Sequence, residues 1–473
     1  MGNVAILLKK RGYSVMGSDG ELYPPMSHIL EAEGTQIYSG FDPERLKALN
    51  PDLVVVGNAI SRGNSELEWL LNSRAVPLVS LPQLIREYLL LDKESLVITG
   101  THGKTTTASI AAFLLQENKA DPSWLIGGVP RTLSSGAHLG AGSKFVIEGD
   151  EYDSAFFDKR SKFIHYRPDI VAINNLEMDH ADIFRDLVDI QRSFSHLLKV
   201  IPQQGFLVIN GDDPHIETIL GEAWCSVLRV GTGSENDLII SDFVEVPDAS
   251  SFKLWYKGEF WTEVEWSLCG IYNARNAAIA ALTAGLAFNR KNPLEINLGC
   301  LKQFEGVKRR QEKLFHQRNC LIFEDFAHHP TAIKEILKSF RSQYPEHRIL
   351  ACFEPRSNSA RTQLFQSEFT QALAIADQVL IGALTEKRAP VACQEHRSSS
   401  SSRALDRNEM VLSLGESGTE AAFFQTNQAL LESLIERMEP IYAEGSPTII
   451  VFFSNGSFGG VMKKLAQVLA SFD

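Results

Sequence analysis

The sequence predicts an α/β protein of about three domains built on parallel sheets. Three observations carry this. Short runs of branched and aromatic residues recur along the whole chain, mostly apolar without alternation, as strands buried on both faces are. Amphipathic stretches with helical spacing follow several of these runs, the signature of helices packed on both faces of a parallel sheet. The length of 473 residues fits about three domains of the usual ~150 residues.

The chain opens on a helical stretch at 3–11, followed by a strand at 13–17 that ends in Ser18-Asp19. Further strands are expected at 53–57, 96–100, 145–148, 170–174, 206–210, 320–324, 349–353 and 449–453. Helices are expected at 81–91, 105–115, 274–288, 330–339, 363–376 and 458–470. A first boundary falls at Asp92-Lys93-Glu94 and a second near residue 313, giving units 1–93, 94–312 and 313–473. The stretch 395–407, with serines at every position from 398 to 402, reads as a surface loop. A nucleotide-binding unit normally begins strand, Gly-rich turn, helix. Here the sequence starts at the helix, and two readings stay open: a reading frame that begins further upstream, or a real loss of that turn.

Composition excludes several classes. The net charge of −12 disfavours bulk nucleic-acid binding, which needs a basic face. No apolar run reaches the ~18–20 residues that cross a bilayer, and the N-terminus lacks the pattern of a secretory signal. The cysteines, at 225, 269, 300, 320, 352 and 393, form no Cys-x-x-Cys pair. Scattered thiols suit a reducing compartment, so the expected location is cytoplasmic.

The strongest motif is Gly100-Thr101-His102-Gly103-Lys104-Thr105-Thr106, between a strand and a helix. Backbone N–H groups of such a turn cradle phosphate oxygens, Lys104 can reach the β/γ-phosphates and the Thr105 hydroxyl can hold Mg²⁺. Only two residues separate its glycines where the usual phosphate loop has four. Next come four acids, Glu148, Asp150, Glu151 and Asp153, at the end of a strand. They suit a divalent ion bound with phosphate oxygens, or else a solvated turn, and Glu148 is the best ligand candidate. Asp179-His180 follows the strand at 170–174. His180 is favoured for the site, whereas Asp179 can equally cap the next helix.

Further elements are Asn273 and Asn276, then Gly306 with Arg309 and Arg310, then Asp325-Phe326-Ala327-His328-His329-Pro330. Together with the phosphate loop these resemble the Mur ligase family of ATP-dependent amide-forming enzymes, over essentially the whole chain. The loop matches Gly-Thr-(Asn/His)-Gly-Lys-Thr, and the asparagines match His-Asn-x-x-Asn-Ala with Tyr272 replacing His. The arginines match Gly-x-x-Arg-Arg, and 325–330 matches the Asp-x-x-His-His-Pro of the muramate-using branch. Tyr23-Pro24-Pro25-Met26-Ser27, 149–163, Glu354-Pro355-Arg356-Ser357-Asn358 and 454–460 point within that branch to the member that joins UDP-N-acetylmuramate to L-alanyl-γ-D-glutamyl-meso-diaminopimelate in cell-wall recycling. Two alternatives stay open. One is the member that adds L-alanine, which is expected to carry His-Arg-Tyr-Thr-Arg where this chain has Arg356-Ser357-Asn358-Ser359. The other is a non-catalytic nucleotide-binding relative.

The resemblance implies a UDP-binding domain, a central phosphate-loop ATPase and a C-terminal Rossmann-like domain. It implies ATP and Mg²⁺ as cofactors, and UDP-N-acetylmuramate and the murein tripeptide as substrates. Nucleic acid and membrane are not expected partners, and the chain is expected to be a monomer or weak homodimer. The ATP contacts implied are Gly100, Thr101, His102, Gly103, Lys104, Thr105, Thr106, Asn273 and Asn276 near the adenine, Arg309 near the phosphates, and Asp325 at the ribose. Lys104, Glu148 and His180 carry catalysis; Thr105 and Glu148 hold one Mg²⁺, and His180 matches the ligand of a second. Phe194 stands where some members have a carbamylated lysine, so none is expected. Arg356 and Arg361 are natural clamps for peptide carboxylates, with Ser357 and Asn358 beside them by resemblance. Ser18, Asp19 and Asn58 remain as UDP-sugar contacts. Without the Gly-rich turn that holds the diphosphate in the family, the chain as written is expected to bind a UDP-sugar poorly.

Overall fold

The computed structural model describes residues 1–20, 26–384 and 403–472. Tyr23-Pro24-Pro25, Cys393 and the serine run lie outside the described residues. Three sheet systems follow one another along the chain.

The first begins with helix Gly2–Lys10, which buries Val4, Ile6, Leu7 and Leu8 and carries Lys9 and Lys10 in its last turn, where cations oppose the negative end of the helix dipole. Gly12, at φ +92°, and the Tyr13 N–H, which donates to the Leu8 carbonyl, close this helix. That turn consumes residues 11–13, so strand β1 starts at Met16 (Met16–Asp19) instead of 13. β1 pairs in parallel with β2 (Gln36–Ser39), and β3 (Val54–Val56) with β4 (Leu78–Ser80), as two separate two-stranded sheets. Val4, Leu7 and Leu8 share a core with Phe145, Ile147 and Phe163 of the central unit.

The central sheet has ten strands. Its parallel heart is β5 (Glu94–Thr99), flanked by β8 (Lys144–Glu148) and β11 (Pro168–Ile173). Beyond β11 lie β12 (Phe206–Asn210), β13 (Ser226–Gly231) and β14 (Leu238–Val246); beyond β8 lie β6 (Ser123–Leu125) and the short β7 (Ala137–His138). A hairpin, β9 (Asp153–Ala155) and β10 (Asp158–Ser161), sits apart. The parallel core expected from the sequence is present, and β15 (Ala249–Tyr256) and β16 (Glu259–Trp266) extend it as an antiparallel meander. Lys257 and Gly258, at φ +50° and +83°, make the tight turn whose twist matches the flanking strands. Phe252, Leu254, Val264 and Trp266 alternate inward from it.

The C-terminal sheet runs β17 (Glu312–Gln317), β18 (Cys320–Asp325), β22 (Thr448–Phe453), β19 (Arg348–Phe353), β20 (Gln378–Ile381), β21 (Glu420–Phe423), parallel except for β17. The division expected at 312/313 therefore cuts β17, which belongs wholly to this sheet. β22 explains the unalternated apolar pattern: Ile449, Val451 and Phe453 enter one core, and Ile450 and Phe452 enter the other. The two faces are covered by helices such as Pro330–Gln343 on one side and Asn427–Glu444 on the other. The helix expected at 458–470 starts at Val461, because Gly459 and Gly460, at φ +63° and +78°, break the first turn. That expected at 363–376 is a 3₁₀ turn, Gln363–Phe365, and a short helix, Gln366–Leu373. No helix of the described residues is long and apolar enough to cross a membrane.

Candidate active site

β5 ends at Thr99, and residues 100–103 turn the chain into helix Lys104–Glu117. Gly103 adopts φ +79°, and a Cβ there would lie 2.5 Å from Asn276 Oδ1 and 2.7 Å from Asn174 Nδ2. The loop therefore needs glycine both for its left-handed backbone and for the close packing of two amides beneath it. Asn174 Nδ2 donates to Thr107 Oγ1 (2.8 Å), and the Thr107 hydroxyl donates to Asn276 Oδ1 (3.2 Å). Asn175 Oδ1 accepts from the His102 N–H at 2.7 Å. The turn after β11 thus fixes the shape of the phosphate loop.

Two carboxylates define the loop's other side. Glu148, the last residue of β8, accepts from Thr105 Oγ1 (3.1 Å) and from the Gly127 N–H (2.7 Å). Burial pushes its pKa up. Glu151, only 4% exposed, accepts from Lys104 Nζ at 3.0 and 3.1 Å and meets His180 Nε2 at 2.9 Å. Burial works against this carboxylate's charge, but Lys104 and His180 together hold its pKa down at about 2. Burial likewise opposes charge on Lys104 and His180, yet the neighbouring acids raise the pKa of both. Lys104 also donates to the Gly100 carbonyl at 2.6 Å. The predicted catalytic trio is thus split in two. Thr105 and Glu148 meet directly, whereas Lys104 and His180 meet through Glu151, a residue the sequence reading noted within the acidic run but did not single out.

A cavity of about 350 Å³ opens over the loop, lined by His102, Gly103, Thr106, Asn273, Asn276, Arg310 and Asp325 among others. Asp325, buried at the end of β18, accepts N–H bonds from Gln311 (2.7 Å) and Ala327 (2.7 Å), and burial raises its pKa. Tyr272 also lines this cavity and accepts a hydrogen bond from the Gln311 amide. Arg309 does not line it. At φ +62° its side chain turns back to pair with Glu324 and to donate to the Ser454 and Gly456 carbonyls, leaving Arg310, with Arg275, to line the cavity.

A second cavity, about 290 Å³, is lined by Tyr152, Asp179, His180, His328, Arg356, Ser357 and Asn358. Arg361 approaches it through Asn358, donating to Oδ1 at 2.9 Å. The C-terminal unit reaches this place through Ser359, whose hydroxyl donates to Asp179 Oδ1 at 3.0 Å. Asp179 thus ties the two units together. The helix it could have capped instead begins later, at Leu187, with Asp186 as its cap. The loop 174–180 forms the partition between the cavities: Asn175 and Glu177 face the first, Asp179 and His180 the second. His180 holds φ +55°, a left-handed conformation that aims its ring at Glu151 and against Tyr152, 4.3 Å away between centroids.

Phe194 is buried against Phe163, with 5.2 Å between ring centroids. In the N-terminal unit, Ser18 donates to Glu66 at 2.9 Å and Asp19 accepts from the Gly20 N–H at 2.7 Å, both at the C-terminal end of β1. Asn58 is exposed beyond β3, in the other strand pair.

A central phosphate loop between β5 and its helix, roofed by a C-terminal parallel sheet unit and facing two cavities, is the architecture of a three-domain ATP-dependent ligase. Residues 1–91 match the Mur ligase family catalytic domain, 98–284 the Mur ligase middle domain and 309–453 the Mur ligase glutamate ligase domain. The chain belongs to the Mur ligase family. It is 36% identical to the UDP-N-acetylmuramate–L-alanyl-γ-D-glutamyl-meso-2,6-diaminoheptandioate ligase of Escherichia coli (strain K12), over 99% of this chain and 96% of that one. It is 31% identical to the UDP-N-acetylmuramate–L-alanine ligase of Salinibacter ruber, over 83% of this chain and 79% of that one. The crystal structure of a murein peptide ligase from Psychrobacter arcticus 273-4 superposes with a TM-score of 0.68 at 30% identity, covering 99% of this chain and 96% of that one.

Proposed function

We propose that this chain joins UDP-N-acetylmuramate to the tripeptide L-alanyl-γ-D-glutamyl-meso-diaminopimelate, at the expense of ATP, in peptidoglycan recycling. The observation that carries the reading is the pair of cavities back to back across the loop 174–180, with the phosphate loop beside one and Arg356 in the other. Full-length similarity to the Escherichia coli ligase supports the tripeptide over L-alanine as the acceptor amine.

ATP occupies the first cavity in this reading, its phosphates on the N–H groups of residues 100–105 and its ribose at Asp325. Arg310 takes the phosphate role expected of Arg309. The muramate carboxylate attacks the γ-phosphorus, the bond to ADP breaks, and an acyl phosphate forms. The peptide amine then attacks the acyl carbon, expels phosphate and loses a proton to solvent. Charge builds on the transferred phosphoryl oxygens, so fixed cations dominate the rate. Lys104 supplies one once the phosphates draw it from Glu151. Thr105 and Glu148 bring two hard oxygen donors together, 3.1 Å apart at the phosphate loop, a donor set that fits Mg²⁺. The ion, when bound, neutralises phosphate charge. Glu151 sets the position of His180 beside the second cavity, where Arg356 and Arg361 meet the peptide carboxylates. Ser18, Asp19 and Asn58 remain the proposed sugar-nucleotide contacts, at the C-terminal ends of β1 and β3, where ligands of parallel sheets bind. The units divide, in this reading, just before Glu94 and just before Glu312, and the free thiols suit the cytoplasm.

The test is product analysis. Mass spectrometry of a reaction with UDP-N-acetylmuramate, tripeptide and ATP should show the muramoyl tripeptide nucleotide together with ADP. Hydrolysis of ATP without the ligated product overturns the proposal.

A further inference from the structure

Tyr272 stands where the motif His-Asn-x-x-Asn-Ala has histidine. It is the second residue of helix Ile271–Phe288, and it lines the cavity over the phosphate loop. Two contacts fix its ring. Gly270, at φ +90°, lies against it, and a Cβ there would come to 2.9 Å from Cδ1 and Cζ of the ring. The Gln311 side-chain amide donates to its hydroxyl oxygen. A tyrosine hydroxyl carries a single hydrogen. With Gln311 donating to the oxygen, that hydrogen points elsewhere, and no acceptor for it occurs among the described residues. Burial, with Asp325 and other acids nearby, pushes the Tyr272 pKa well above the ordinary tyrosine value, so the hydroxyl stays a donor.

The place is that of a base. Gln311 joins Tyr272 to Asp325: its backbone N–H donates to Asp325 Oδ2 at 2.7 Å while its side chain holds the tyrosine. Asp325 meets the ribose in the proposed reading, and the base hangs from the ribose carbon remote from the one that bears the phosphates. It therefore falls on the Tyr272 side of Asp325, away from the phosphate loop. Ala332 and Ile336, one turn apart on helix Pro330–Gln343, line the same cavity and offer the base an apolar wall. The asparagines in the first turns of the Tyr272 helix are committed within the protein. Asn273 Nδ2 donates to the Cys269 carbonyl at 2.7 Å, Asn276 Nδ2 donates to Asn273 Oδ1 at 3.3 Å, and Asn276 Oδ1 accepts from Thr107.

We propose that Tyr272 reads the nucleobase, its hydroxyl donating to an unprotonated ring nitrogen of adenine, with Gln311 and Gly270 as the residues that position it. The inference rests on ATP occupying the first cavity. N1, N3 and N7 are the ring nitrogens that can accept this bond.

The test is calorimetric titration of the full chain and of Tyr272→Phe with ADP and with 1-deaza-, 3-deaza- and 7-deaza-ADP. Tyr272→Phe keeps the ring on Gly270 and removes only the hydroxyl. It should weaken ADP binding about 2–12-fold, the worth of one neutral hydrogen bond. One deaza analogue should bind the parent that much more weakly than ADP and lose nothing further in Tyr272→Phe, because the bond is already gone. The other analogues should lose the same factor in the variant as ADP does. A variant that is merely misshapen would weaken every analogue alike. ADP bound equally by the parent and Tyr272→Phe overturns the proposal, and so does a further loss for every analogue. Absence of ADP binding to the parent overturns the nucleotide reading of the cavity, and the proposal with it.

Discussion

Replacing Gly103 by alanine tests how the phosphate loop is held. Two costs arise. The residue keeps φ +79°, where an L side chain costs about 1–2 kcal/mol. Its Cβ would lie 2.5 Å from Asn276 Oδ1 and 2.7 Å from Asn174 Nδ2, so both amides must leave their places. Each displaced side chain costs about 0.5–1.5 kcal/mol, and the bonds through Thr107 weaken with them. The expected destabilisation is therefore about 2–5 kcal/mol. Two other glycines separate these costs. Gly258→Ala has the strain alone, at φ +83° with nothing within 4 Å, and should lose about 1–2 kcal/mol. Gly221→Ala has neither cost and should stay within about 0.5 kcal/mol of the parent. Urea denaturation reads all three. Calorimetric titration with ADP should then show affinity reduced at least about tenfold in Gly103→Ala alone, since 1.4 kcal/mol is a factor of ten. If Gly103→Ala matches Gly258→Ala in stability and binds ADP like the parent, the asparagine pair does not shape the loop.

Other outcomes follow from the same geometry. Lys104→Ala should lower phosphate release at least ~100-fold, as loss of a fixed charge at a developing anion does; near-normal turnover would refute the loop's role. Arg310→Ala should raise the KM for ATP with little change in unfolding midpoint. Arg309→Ala should do the reverse, losing about 1–3 kcal/mol of stability as its bonds to Glu324 and two carbonyls disappear. Burial pushes the Cys269 and Cys320 thiols up to about 12, so at pH 8 almost no thiolate is present. Site-resolved mass spectrometry after iodoacetamide treatment should find both unmodified in the native protein and modified in urea.

The strands of the parallel cores were legible because burial on both faces removes polar residues altogether, as in β22. The meander from β14 to β16 was missed although its alternation is visible at 249–256: buried and half-buried residues alternate along β15, and Ser250, Ser251 and Lys253 break the apolar run. The phosphate loop was legible because its chemistry is local. Glu151 was not, because four acids in six residues cannot be ranked until the β9–β10 hairpin and Lys104 determine which of them is buried. Arg309 and Arg310 were likewise inseparable, since only the positive φ of Arg309 sends its side chain away from the cavity. Contacts such as Ser359 to Asp179 join residues 180 positions apart and leave no trace in spacing.

The acceptor amine separates a tripeptide ligase from an L-alanine ligase. Phosphate release should be measured with ATP and UDP-N-acetylmuramate, adding either the tripeptide or L-alanine. Release that depends on the tripeptide is the predicted result. Release with L-alanine and none with the tripeptide would contradict the account.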